Sequence, residues 1–238
     1  MHTFDYLVYI FLLIGVVLSI KTKKLTVKGA LTGGIIGVLV YEGAGFCGIA
    51  MLAVFFLSGS TATGWQLNKK LRMNVAEKRK GQRTAGQVLA NGGIAAMCGA
   101  ISWYSNQLAG LMQLMMAGSL AAAIADTLSS ELGVIYGRNF YDVISFKKVQ
   151  PGPDGVISLE GTLIGIAGAI LIATIYALGF GFNISFVFIV IAGAIGNLSD
   201  SVIGATLERR QWIGNNTVNF LNTFVGGMTC FILGLIDK

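Results

Sequence analysis

Four carboxylates stand where an apolar chain has little reason to place them. In "IADTLSSELG", residues 124–133, Asp126 and Glu131 close a long run of small and apolar residues. In "GNLSDSVIGATLERR", residues 196–210, Asp200 and Glu208 close another. At about 100° per residue on a helix, Asn197, Asp200, Gly204 and Glu208 share one stripe, and Asn215, Asn219, Asn222 and Gly226 share another. Arg83, Gln87 and Asn91 follow one face on successive turns, and Asp126, Ser129, Ser130 and Gly133 do the same, with Glu131 turned away unless its helix ends there. An Asp or Arg near the centre of a membrane span costs about 2.5–3.5 kcal/mol on insertion scales, so such stripes face a cavity or a partner rather than lipid. Any one stripe could be an inter-helix hydrogen bond without chemistry, but four at one depth argue for a site.

The chemistry of that site follows from its donors. Carboxylate, amide and hydroxyl oxygens are hard ligands suited to Mg²⁺, which is held by one or two carboxylates together with substrate phosphates. Arg83, Arg138, Lys147, Lys148, Arg209 and Arg210 are placed to hold phosphate charge. The segment "KKVQPGPDGVISLEGT", residues 147–162, joins two lysines to a Gly/Pro turn and offers Ser158 as a helix N-cap, where exposed N–H groups attract phosphate. An ordinary turn and cap would read the same way. The combination points to phosphoryl transfer.

The elements that must carry these residues are apolar helices. The chain has 238 residues, of which 54% are hydrophobic and 12% charged, and its mean hydropathy is +0.73. That is more apolar content than one soluble core of this length uses. Runs long enough to cross about 30 Å of hydrocarbon fall near 4–20, 31–41, 46–60, 87–104, 108–126, 161–180, 184–204 and 218–236. The expectation is an all-α integral membrane protein, one polytopic bundle of about seven or eight transmembrane helices with no soluble domain outside it. The first run lacks a basic leader and a small-residue cleavage site, so it reads as a retained span.

Sixteen of the seventeen basic residues follow the first, third, fifth and seventh runs, leaving Lys238 on the other side. By the positive-inside rule the basic side is cytoplasmic and both termini lie outside. The net charge of +6 is thus explained by topology and implies no nucleic-acid partner. The inner connections are long and polar and the outer ones short, which puts function on the cytoplasmic face.

Weak parallel repeats are also present. "KGALTGGIIG" resembles "EGTLIGIAG", "AGSLAAAIADT" resembles "AGAIGNLSDS", and "FLSGSTATG" is a carboxylate-free third copy of the returning hairpin end.

Several chemistries are excluded. His2 is the only histidine, so His-based triads, zinc sites and bis-His haem are absent. Cys47, Cys98 and Cys230 show no CxxC spacing and read as packing residues. No GxxxxGK[ST] occurs, and "GAGFCG", residues 43–48, matches GxGxxG only formally because it lies between apolar spans with no strand before it.

Five motifs in order, "GQRTAGQVLANGG", "ADTLSSELG", "KKVQPGPDGVISLEGTLIG", "LSDSVIGATLE" and "NNTVNFLNT", resemble the integral-membrane family that includes transmembrane protein 19 and the plant chloroplast phytyl-phosphate kinase. The resemblance covers about residues 27–223, with one departure at "PDGVIS", where the family pattern often shows paired glycines. It implies an isoprenyl-phosphate kinase that uses CTP or another nucleoside triphosphate to make a prenyl diphosphate. On that reading Asp126 and Asp200 share Mg²⁺ with nucleotide phosphates, and Glu131 and Glu208 are further ligands or orient them. Arg83, Lys147 and Lys148 neutralise charge on the transferred group. Asn91, Arg138, Ser158, Arg209, Asn216, Asn219 and Asn222 bind nucleotide or acceptor phosphate, and the prenyl tail lies between spans. Oligomerisation is compatible with this reading. A polyprenol kinase, a CTP-dependent lipid cytidylyltransferase and a membrane transporter are the alternatives.

Overall fold

A computed structural model describes residues 3–73 and 82–237, with side chains from residue 6 onward. His2, Lys78, Arg79, Lys80, Gly81 and Lys238, which carry parts of the charge and motif readings, lie outside the described residues. The chain runs through α1 (Thr3–Lys21), α2 (Val27–Gly64), α3 (Leu67–Arg72), α4 (Ala85–Tyr104), α5 (Ala109–Tyr136), β1 (Phe140–Asp142), β2 (Val156–Ser158), α6 (Leu159–Phe180), α7 (Ser185–Ile203), a π-helical turn (Gly204–Glu208) and α8 (Asn215–Ile236). It is an all-α membrane protein with one small antiparallel hairpin, in which Phe140, Tyr141 and Asp142 pair with Ser158, Ile157 and Val156.

Among the described residues five helices, α2, α5, α6, α7 with its π turn, and α8, are long and apolar enough to cross a membrane. The 38 residues of α2 would span about 57 Å if straight, nearly twice the hydrocarbon thickness. Gly45 breaks the helix instead, at φ 57° and ψ −148°, a region L side chains rarely adopt. The limbs 27–44 and 46–64 then fold back on each other. Gly29 near the start packs on the Arg83 backbone, and Gly59 near the end packs on the Arg83 side chain. The formal GxGxxG stretch is therefore a helix-hairpin turn: a Cβ on Gly43 would stand 2.4 Å from the Gly99 backbone, where the first limb meets α4.

At the opposite end three helices start on hydroxyl caps. Thr26 accepts from Gly29 N–H, Thr84 from Gln87 N–H in a capping box, and Ser158 from Gly161 N–H. The segments before the first two caps are joined by a Leu25–Arg83 bridge. Buried at the centre is α5, whose alanine run 121–125 is fully enclosed and packs against α2, α4, α6, α7 and α8. Small residues on α7 and α8 press onto it: a Cβ on Gly196 would stand 2.4 Å, and one on Gly226 2.5 Å, from Ala122 Cβ.

The structure corrects the sequence reading at two places. Helix α5 does not stop at residue 126 but continues to Tyr136, because Ser129, Ser130 and Glu131 are tolerated in a helix and Gly133 is held in it by close packing on Gly161; it ends at Gly137. The segment read as a loop between α5 and α6 contains the β hairpin. The cysteines are free, as their spacing implied.

Candidate functional site

The close packing of α7 on α5 brings Asp126 and Asp200 face to face, near enough for their carboxyls to interact directly, with Asn222 beside Asp200. Buried Asp200 Oδ1, Asn91 Oδ1 and both amide atoms of Asn222 have no hydrogen-bond partner in the protein among the described residues. An unsatisfied buried polar group costs about 1–3 kcal/mol, so several gathered at one place are the mark of a site built for a ligand. Asn91 and Asp200 line a cavity of about 280 Å³, whereas Asn222, expected as a binding residue, is fully buried behind its wall.

All four sequence stripes converge on this cavity. Helix α4 and its approach contribute Arg83, Gln87 and Asn91; α5 contributes Asp126, Ser129, Ser130, Glu131 and Gly133; α7 and its π turn contribute Asn197, Asp200, Gly204 and Glu208; α8 contributes Asn215 and Asn219. The π turn sits under Glu208, an example of the single-turn π element that recurs at functional sites.

Arg83 is delivered by backbone geometry. Its carbonyl accepts from Thr26 N–H at 3.0 Å, its N–H donates to Lys24 at 2.9 Å, and its guanidinium lies over the Phe55 ring at 5.5 Å. Glycine at 59 makes this possible, since a Cβ there would stand 2.7 Å from Arg83 Nη2. Gly59 also leaves room for Thr127, the residue after Asp126, whose methyl would stand 3.2 Å from the same Cβ, and both Arg83 and Thr127 line the cavity.

The loop before β2 roofs the cavity with residues 151–155. Gly155, at φ 77°, lies flat on the end of α7 and its π turn, where a Cβ would stand 2.7 Å from the Ser201 carbonyl oxygen and 2.3 Å from Ala205 Cβ. Arg209 clamps this roof, donating from Nη1 to Asp142 Oδ2 at 2.7 Å and from Nη2 to the Asp154 carbonyl. Asp142 also accepts from Ser145 N–H at 2.8 Å and from the Ser145 hydroxyl at 3.0 Å. The Ser145 N–H and then the Arg209 guanidinium hold the Asp142 carboxyl well below the usual carboxylate range.

Other expected residues stand elsewhere. Lys147 and Lys148 are exposed outside the cavity, with Lys148 Nζ donating to Asn139 at 2.7 Å. Arg138 is exposed, its backbone N–H directed at Glu160. Asn216 is exposed and packs near Gly86. Arg209 is engaged in the clamp. Ser158 does line the cavity, but its hydroxyl caps α6.

Glu131, expected off the stripe, reaches the cavity edge because Lys70 holds it at 2.5 Å. Lys70 was not legible as special within a basic run; only its burial, at 1% exposed, singles it out. Asp154 and Thr63 also line the cavity without having stood out in sequence.

Among the described residues no three His, Cys, Asp or Glu side chains converge as a metal cluster. A four-carboxylate ligand set is therefore not formed. The facing Asp126 and Asp200, with an oxygen of Asp200 unsatisfied, fit the lesser demand of Mg²⁺ for one or two carboxylates completed by phosphate and water.

The family model described as "Integral membrane protein DUF92" matches residues 10–227. Protein VTE6, chloroplastic, of Arabidopsis thaliana is 32% identical over 216 residues; the match covers 88% of this chain, and the chain spans 65% of that protein's length. An uncharacterized membrane protein of Methanocaldococcus jannaschii is 36% identical over 226 residues, covering 92% of this chain and 91% of its own. Another from Synechocystis is 34% identical over 210 residues, covering 86% and 80%. No solved structure matches the chain.

Proposed function

The chain belongs to the DUF92 integral membrane family, and on that premise we propose that it is an isoprenyl-phosphate kinase working at the cytoplasmic membrane face. The observation that carries this reading is the pair Asp126 and Asp200, facing each other across α5 and α7 beside the Arg83 guanidinium in one polar cavity. The resemblance of the ordered motifs to the family of the phytyl-phosphate kinase supplies the substrate class. In the reaction an oxygen of the prenyl monophosphate forms a bond to the γ-phosphorus of CTP or another nucleoside triphosphate. The bond from that phosphorus to the β-phosphate bridging oxygen breaks, and a nucleoside diphosphate leaves. The acceptor oxygen is already anionic near neutral pH, which makes the lack of a histidine base tolerable.

Asp126 and Asp200 would hold Mg²⁺ between them and the nucleotide phosphates. When bound, the cation supplies charge neutralisation and alignment of the transferred group. Arg83 stabilises the charge spread over the equatorial oxygens. Asn91, Asn215 and Asn219 donate amide hydrogens to phosphate or ribose, Asn222 supports Asp200 from behind, and Glu208 orients Asn215 at the rim. The glycine-rich roof, held by Arg209, excludes water. Lys147 and Lys148 act at the membrane surface rather than on the reacting phosphate.

The topology that accompanies this reading has eight apolar limbs crossing the bilayer, with the two limbs of α2 counted separately. The basic loops, the roof and the cavity mouth then lie inside. A transporter would need its polar stripes to continue to the far side, whereas the cavity residues sit at the capped end only.

Incubating the detergent-purified protein with labelled CTP or ATP and a panel of prenyl monophosphates and prenols tests the proposal. Label transfer to monophosphates, dependent on a divalent cation, is expected. Transfer only to prenols would make the protein a polyprenol kinase, and transfer to neither would overturn the reading.

A further inference from the structure

A second concavity, of about 390 Å³, opens between the second limb of α2 and α5. Leu57, Thr61 and Trp65 line it from α2, and Leu128, Leu132 and Tyr136 from α5. Each trio is spaced at four residues, so each is a single stripe of its helix, and the α5 stripe lies about 110° around the helix from the one that bears Asp126. The lining is hydrocarbon and aromatic ring apart from the hydroxyls of Ser58 and Thr61 and the polar tips of Trp65 and Tyr136. The Thr61 hydroxyl is turned back onto its own helix, donating to the Leu57 carbonyl at 2.7 Å. The volume is within the range of about 300–1,000 Å³ typical of small-molecule sites.

The groove has a defined orientation. Trp65 Nε1 donates to the Tyr136 hydroxyl at 2.9 Å, joining the ends of the two helices. Trp and Tyr at helix ends sit at the headgroup level of a bilayer. From there the groove runs about 12 Å inward, eight residues of helix, to Leu57 and Leu128.

Its back wall is shared with the polar cavity. Ala62 faces the groove and Thr63 the cavity; Glu131 faces the cavity and Leu132 the groove. Lys70 bridges these two pairs. Its ammonium donates to the Ala62 carbonyl at 2.7 Å, the Thr63 carbonyl at 3.4 Å and Glu131 Oε2 at 2.5 Å, which accounts for all three of its N–H groups. A polar and an apolar compartment thus lie back to back across residues 62–63 and 131–132, which Lys70 ties together, an arrangement that matches an amphiphile with a charged head and a hydrocarbon tail.

We propose that this groove holds the isoprenoid chain of the substrate, with its phosphate head turned past the Lys70–Glu131 wall into the polar cavity. The proposal rests on the kinase reading for its substrate class, but it is tested without turnover. The full-length protein in detergent is irradiated with a prenyl monophosphate bearing a diazirine at the chain terminus, and the labelled peptides are mapped. The result expected is label on residues 57–65 and 128–136, displaced by unlabelled prenyl monophosphate. Thr61→Trp, at an exposed groove position, should cut that label at least about tenfold while leaving the thermal midpoint and Mn²⁺ binding unchanged. Label on other helices would overturn the groove, as would no label at all. Equal labelling by a phosphate-free prenyl probe would also overturn it, since any bilayer lipid would then fill the groove. If label falls in the groove but no phosphoryl transfer occurs, the kinase reading fails and the chain site stands; transfer with label elsewhere gives the reverse.

Discussion

At the scale of single residues, the account depends on a few charges placed among apolar neighbours. Asp126→Asn and Asp200→Asn each keep the side-chain volume but remove the anion. Each should lower kcat about 10²-fold or more in purified protein whose thermal midpoint in detergent is retained. Lys70 and Glu131 form a buried pair of a different kind, structural rather than reactive. Removing one partner, as in Lys70→Met, should cost about 1–3 kcal/mol, because the buried Ala62 carbonyl loses its donor and Glu131 at the cavity edge loses its counter-charge. The double variant Lys70→Met/Glu131→Leu should recover the part of that loss due to Glu131, as chemical denaturation would show. The sequence made the two aspartates conspicuous, because a carboxylate inside an apolar run has few structural reasons to exist. It hid Lys70, one of several cations in a run where topology explains them all. It misdirected Arg209 and Lys148 for the same reason: charge is visible in a sequence, but which carboxylate or amide neutralises it depends on the fold.

At the scale of elements, glycine determines how closely helices approach and where they turn. Gly43 meets the Gly99 backbone, so Gly43→Val must push the α2 hairpin off α4; a loss of about 1–3 kcal/mol is expected, read as a lowered midpoint in detergent. Gly45→Ala meets nothing within 4 Å and costs only the strain of a backbone conformation essentially confined to glycine, about 1–3 kcal/mol. The roof clamp has a pH signature. The carboxyl of Asp142 is held below its unfolded value of about 3.9, so its contribution is complete above that pH and is lost as pH falls through the lower folded value. The midpoint difference between the wild type and Asp142→Asn should therefore stay constant from about pH 8 to 5 and shrink only below about pH 4. Helical periodicity made the polar stripes readable, and all four reach the cavity. The π turn and the β hairpin were not readable: the first is a one-residue change of helical phase, and the second consists of three-residue strands paired through a long connection.

At the scale of the whole molecule, the fold brings the basic connections and the hydroxyl-capped helix starts to one end. The apolar limbs, including the two that Gly45 folds together, build the slab beneath it. That much was legible, because apolar length and the sidedness of Lys and Arg are bulk properties that tertiary packing does not override. The meeting of Asp126 with Asp200 was only inferable, since it depends on α7 seating on Ala122. The central claim is that these two carboxylates together hold a divalent cation with phosphate. Electron paramagnetic resonance of Mn²⁺ with purified protein and a nucleoside triphosphate tests it most directly. A protein-bound Mn²⁺ signal is predicted for the wild type, with affinity lowered about tenfold or more in Asp126→Asn/Asp200→Asn. A double variant that binds Mn²⁺ as tightly as the wild type would contradict the account.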